Sequence, residues 1–163
     1  MSEPVCQLDD FHFTRLAVQW HASKEPGKFA INYSFDYNIG QHKTENNRYR
    51  LAFRVGAKSD APEPVGYHLD TEIVGFFRFP DGTEQKKMDF LIRMNGCSVL
   101  YGILRGQVAS LTGSFPQKKL VLPTLMMKEI VDGVEQQKAA SAKTKKTAPK
   151  PTSRKKTRVH EAR

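Results

Sequence analysis

An α+β fold is predicted, with a four-stranded antiparallel β-meander followed by two or three helices. Three features of the sequence predict it. Apolar and polar residues alternate strictly in three early segments. After Phe79 that period gives way to helical spacing. The links between the alternating segments are short and carry turn chemistry, as strands joined in order require.

The first strand is placed at 16–21, with Leu16, Val18 and Trp20 on its apolar side. The second runs through Phe29, Ile31, Tyr33, Phe35, Tyr37 and Ile39, separated by Ala30, Asn32, Ser34, Asp36 and Asn38. Tyr49, Leu51, Phe53 and Val55 define the third, with Arg50, Ala52 and Arg54 on its wet side. The fourth carries Tyr67, Leu69, Thr71, Ile73, Gly75, Phe77 and Phe79 on one face and His68, Asp70, Glu72 and Arg78 on the other, with Val74 and Phe76 as exceptions. Period-two alternation signals half-buried strands with one apolar and one solvated face. Asn46-Asn47 and Asp60-Ala-Pro-Glu-Pro64 supply the turns between them.

Pro80-Asp-Gly-Thr83 is a further turn. The spacing then predicts a short helix over 84–94, with Met88, Leu91 and Ile92 on one side, interrupted by Asn95-Gly96. Ser98 is positioned to cap a second helix carrying Val99, Leu100, Ile103, Leu104, Val108 and Leu111. Gly113 is expected as its C-terminal cap, and Phe115-Pro116 ends it. An extended apolar stretch, Leu120-Val-Leu-Pro123, precedes a last amphipathic helix over 124–137.

The chain has 163 residues, room for one ordinary domain, with 39% hydrophobic and 26% charged content. Its +9 charge is unevenly placed. Ten of the 26 Lys and Arg lie in 136–163 with one of the 17 acids, Glu161, leaving 16 of each sign in 1–135. A neutral domain, 1–137, thus carries a basic tail, 138–163. The tail is rich in Lys, Ala, Thr and Pro, has no aromatic residue, and is expected to be disordered because it has too little apolar surface to offset chain entropy.

Several function classes find no support in the residues. No apolar run approaches the roughly 18 residues that span a bilayer, so membrane insertion is not expected. The N-terminus lacks a basic region followed by an apolar one, so a cytoplasmic location is expected. Cys6 and Cys97, 91 positions apart, form no metal or disulfide framework. The five histidines are scattered, and no Walker loop, Rossmann fingerprint, nucleophile elbow or His-Glu-x-x-His motif occurs. No enzyme activity, cofactor or metal is therefore expected. Asp70 and Glu72 read as a solvated sheet face, and Cys97 as a buried structural thiol.

The aromatic load is the informative feature. Trp20, Phe29, Tyr33, Phe35, Tyr37, Tyr49, Phe53, Phe77 and Phe79 all fall on inward positions. One small sheet with two or three helices cannot easily hide so many rings, so a subunit interface or an apolar groove is expected.

Ser98-Val-Leu-Tyr-Gly-Ile-Leu-Arg105 resembles the Leu-Tyr-Pro-Tyr-x-Arg segment that opens the long helix of the SecB export chaperones. Leu111-Thr-Gly113 and Leu120-Val-Leu-Pro123 resemble the end of that helix and the extended stretch after it. Glu72-Ile-Val-Gly-Phe-Phe-Arg-Phe79 resembles the family's fourth strand. The likeness spans roughly 8–135. Two positions depart from it: Gly102 stands at the family's Pro, and Gly106 at its Glu.

The resemblance implies an ATP-independent holdase, a homotetramer built as a dimer of dimers, which binds unfolded polypeptides in apolar grooves. Clients would be preproteins for export or an antitoxin, since SecB-like chaperones serve both. Its residue-level implication is that Leu100, Tyr101 and Leu104 lie near the groove and the subunit contact. Trp20, Phe35, Phe53 and Phe77 join them as candidates from the apolar strand faces. SecA, the family's partner ATPase, docks an acidic sheet face. Here that face mixes Arg48, Arg50, Arg54 and Arg78 with Asp36, Asp70 and Glu72, so SecA coupling is in doubt. The tail offers a separate activity, nonspecific binding of nucleic acid or another anionic surface.

Overall fold

The computed structural model describes residues 5–23 and 30–146. Four antiparallel strands form one sheet: β1 (Gln7–His21), β2 (Ile31–Gln41), β3 (Arg48–Ser59) and β4 (Gly66–Arg78). A helical run follows, consisting of α1 (Gln85–Leu91), a π-helical turn (Ile92–Gly96) and α2 (Cys97–Gly113). Helix α3 (Met127–Lys146) closes the described chain. This is the expected α+β order of strands, then helices.

The strand order corrects the meander. Strands β2, β3 and β4 are joined as consecutive neighbours, but β1 lies beside β4, giving β1-β4-β3-β2. That is a Greek-key arrangement, in which the strand at one end of the series returns to lie beside the other end. It makes β1 and β2 opposite edges. Their connection, 22–30, includes residues 24–29 outside the described set, among them Phe29.

β1 also begins nine residues earlier than expected, at Gln7. Its register against β4 shifts between Leu8 and Asp10 and again between Phe13 and Arg15. Each shift inserts a residue and changes the phase of alternation. Leu8, Phe11, Phe13, Leu16, Val18 and Trp20 consequently share one face, although their spacing is not uniformly two.

The core lies between the inner sheet face and the helices. Leu51, Phe53 and Val55 of β3 and Ile73 of β4 are fully buried against Ile92, Leu100, Leu104 and Val108. Gly75 allows the close approach of α2: a Cβ there would meet Leu100 Cδ2 at 2.7 Å and Phe77 Cε2 at 2.9 Å. Leu120 and Leu122 bury the extended stretch, whose start is tied to α2 by Leu120 N donating to Thr112 Oγ1 at 3.0 Å. The Pro80–Thr83 turn forms as expected, with Gly82 at φ +77° and Thr83 N donating to Pro80 O at 3.2 Å.

The helical details differ from expectation in four places. Asn95-Gly96 does not break the run, because a π turn absorbs it without leaving helical geometry. Ser98 is no cap; its Oγ donates to Met94 O, four residues back, at 2.7 Å. Gly113 is the last residue of α2 and does not adopt the left-handed conformation of a glycine cap; among the described glycines positive φ occurs only at Gly66 and Gly82. Finally, α3 starts at Met127 and runs to Lys146, so 138–146 are helical where a disordered tail was expected. Residues 147–163, the rest of that tail, lie outside the described set.

Candidate polypeptide-binding surface

The helices do not cover the sheet evenly. Helix α2 packs on β3 and β4, and α3 packs on β2. The inner face of β1 carries the apolar row from Leu8 to Trp20, yet no residue of β1 is buried. Its cross-strand partners Tyr67, Leu69, Thr71, Ile73 and Phe77 on β4 are buried. Among the described residues, the edge of the apolar core is therefore left open along one strand. Phe11 is 42% exposed and Trp20 40%, while Leu16, Val18 and Phe13 are half-buried between them. Trp20 rests edge-on against Tyr67 at 4.9 Å between ring centroids.

The seven candidate residues separate into three settings. Phe53, Phe77, Leu100 and Leu104 lie in the closed core. Tyr101 is buried and its hydroxyl donates to Pro123 O at 2.6 Å; burial pushes its pKa up to about 12. Phe35 is half-buried on β2 and sits edge-on to Tyr101 at 6.4 Å, with Phe53 at 6.3 Å on the same ring. Trp20 stands apart, on the opposite edge, with β4 and β3 between it and Phe35, about 14 Å at ordinary strand spacing. The structure thus brings Phe35, Phe53 and Tyr101 together and leaves Trp20 in a second place. Phe11 was missed because the first strand was started too late. The recurrence of apolar residues at 8, 11, 13, 16, 18 and 20, in two phase shifts of one residue, was the signal that could have found it.

Of the expected inward rings, Tyr37, Tyr49, Phe53, Phe77 and Phe79 are buried, and Tyr33 and Phe35 are half-buried. Met88 fills the core, whereas Met126 is exposed ahead of α3.

The outer face is mostly charged and solvated, with Val74 buried and Phe76 partly exposed among its polar residues. Asp70 accepts from Arg15 at 2.5 Å and from Arg54 at 2.8 Å, joining β1, β4 and β3, and these bonds hold its carboxyl below the usual range. Glu72 Oε1 accepts from Thr14 at 2.6 Å. Asp70 and Glu72 therefore serve structural roles, each bonded to side chains of neighbouring strands. Burial pushes the Cys97 thiol up to about 12, which makes it an inert core residue. His21 and His68 face each other at 4.6 Å, but among the described residues no three His, Cys, Asp or Glu side chains are placed to hold a metal. Among them, too, no helix is long and apolar enough to cross a membrane.

No family model matches the chain, and no curated protein matches it. Among solved structures, it is similar to the Mycobacterium tuberculosis SecB-like chaperone Rv1957, in complex with a ChAD peptide from the Rv1956 HigA1 antitoxin. The TM-score is 0.58 at 17% identity, over 74% of this chain and 91% of that one. A protein of unknown function from Streptococcus agalactiae gives a TM-score of 0.42 at 8% identity, over 73% of this chain and 97% of that one. The chain has the SecB-like fold: a four-stranded antiparallel sheet followed by helices.

Proposed function

We propose that this protein is an ATP-independent chaperone, a holdase that shields unfolded or non-native polypeptides. The observation that carries the reading is the uncovered apolar row of β1, anchored by Phe11 and Trp20 at the margin of the core. A non-native chain exposes apolar side chains and unpaired backbone groups. A row of aromatic and aliphatic residues on a strand hides the former with little demand on sequence, and the strand edge satisfies the latter. The SecB-like fold agrees with this reading. Assembly as a homotetramer, support of protein export and a cytoplasmic location are parts of the same proposal. SecA is not included, because the outer face carries paired Arg and Asp residues and lacks an acidic surface.

An antitoxin client is the second form of the reading, favoured by the antitoxin peptide bound to the structurally similar Rv1957. The clustering of base in the tail favours an accessory contact with nucleic acid or another anionic surface.

Calorimetric titration of a reduced, unfolded protein tests the proposal, using the full chain and a chain ending at Lys146, at low and moderate salt. Binding that survives truncation and salt is the expected result. Binding that vanishes with 147–163 would transfer the activity to the tail, and no binding at all would reduce the likeness to one of fold.

A further inference from the structure

The β2 edge is held shut at its centre. Ala30 O accepts from Asp60 N, and His42 N donates to Arg48 O, so even-numbered positions around β2 bond toward β3. Odd-numbered positions turn their N–H and C=O outward, by the two-residue period of an antiparallel ladder. At Tyr37 both outward groups are taken by side chains. Its N–H donates to Asp36 Oδ1 at 2.8 Å, and its C=O accepts from Lys138 Nζ. Lys138 also pairs with Asp36 at 2.9 Å and lies 4.5 Å from the Tyr37 ring centroid. The Tyr37 hydroxyl donates to Glu135 Oε1 at 2.8 Å, and Glu135 pairs with Arg93 at 3.3 Å.

We propose that Glu135 and Lys138 form a latch that keeps the β2 edge closed, and that the released edge takes an extended segment of a non-native polypeptide as an added strand. This rests on the holdase reading and names a strand-addition site for its client. Unpaired edge groups invite strand addition, and proteins block them with lysines and covering helices. Here both devices sit on one element, α3. Val131 and Val134 anchor α3 in the core, so release is confined to the stretch from Glu135 onward. Gly133 weakens the helix just before that point. An added strand would place alternate side chains beside Tyr33, Phe35 and Ile39, which are half-buried, with Tyr33 and Phe35 stacked at 6.5 Å. Backbone pairing supplies the affinity and asks little of the client's sequence, which suits a non-native chain.

A closed latch lowers apparent affinity by the fraction of molecules that are open. The test compares full-length wild type with Lys138→Met and Glu135→Gln, using reduced, carboxymethylated α-lactalbumin as the client, by titration and by amide hydrogen exchange. The expected result is about tenfold tighter binding in each variant, with client-dependent protection of the Tyr33, Phe35, Tyr37 and Ile39 amides. Wild type that binds while both variants bind within twofold of it would overturn the latch alone. Protection confined to β1 would overturn the site. Protection of β2 that grows with protein concentration, without client, would assign the edge to a second copy and overturn the stated occupant. Failure of all three proteins to bind client would overturn the holdase reading and this inference with it.

Discussion

Strands β1 and β3 carry the same kind of side chains and meet opposite fates. Each presents a row of large apolar residues on the inner sheet face. On β3 the row Tyr49, Leu51, Phe53, Val55 and Ala57 is buried throughout; on β1 no residue is. The difference lies in position. β3 is an inner strand beneath α2, and β1 is an edge strand beyond it. Alternation identifies which face is apolar, and the placement of the helices decides whether that face becomes core or surface. The apolar residues of β3 hold the fold together, and those of β1 remain free to meet something else.

The largest test of that contrast is a pair of truncations. Phe53→Ala empties a fully buried site and is expected to cost about 3–5 kcal/mol in denaturant unfolding. Trp20→Ala should cost under about 1 kcal/mol while weakening client binding. Equal losses of stability would mean that the two rows are not functionally distinct.

Two glycines sharpen the same distinction. Gly75→Ala drives a methyl against Leu100 and Phe77 under α2 and should destabilise by about 1–3 kcal/mol. Gly102→Ala, on the exposed side of α2 with nothing within 4 Å of its Cβ position, should stabilise by up to about 1 kcal/mol. A fall in assembled mass on Gly102→Ala would show instead that a second copy approaches there.

A smaller effect is expected on the outer face, where Asp70 ties the inner strands to β1. Its folded pKa lies below the unfolded value, so its contribution is present above the ordinary carboxylate range and is lost as pH falls through the folded value. Asp70→Asn should therefore lower the urea midpoint at pH 7, and the gap from wild type should close in acid. The smallest change concerns thiol chemistry. Burial raises Cys97 to about 12 and half-buried Cys6 to about 11, so a thiol reagent should label Cys6 slowly and leave Cys97 untouched until unfolding.

Most of the fold is legible in the sequence where local pattern and final environment agree. Strands β2 to β4 show clear alternation, broken only at Val74 and Phe76 of β4, and their turns carry Asn, Asp, Pro and Gly. β1 was only partly legible, because two bulges interrupt its period, and nothing local announces that it pairs with β4. The partners lie between 45 residues apart (His21 and Gly66) and 71 apart (Gln7 and Arg78), beyond the reach of periodicity. The candidate site was harder. Phe53 and Trp20 are both aromatic residues on inner strand positions, and only the footprint of α2 separates them. Lys138 reads as part of a basic tail, since a lysine that grips a strand edge and one that floats in solvent have the same sequence signature.

The π turn also bears on which changes in chain length the fold can absorb. Met88 and Ile92 are four residues apart and both buried, as are Cys97 and Tyr101, but Ile92 and Cys97 are five apart. The run from α1 to α2 thus contains one residue more than an unbroken α-helix needs to keep one face on the sheet. Asn95 is exposed within that turn. Its loss would let the turn relax to ordinary helix with the buried face still in phase, whereas loss of a residue from the middle of α2 would rotate everything beyond it by about 100°. Removal of one residue at the π turn is therefore expected to leave the fold in place, whereas removal of one from the middle of α2 is expected to disrupt it.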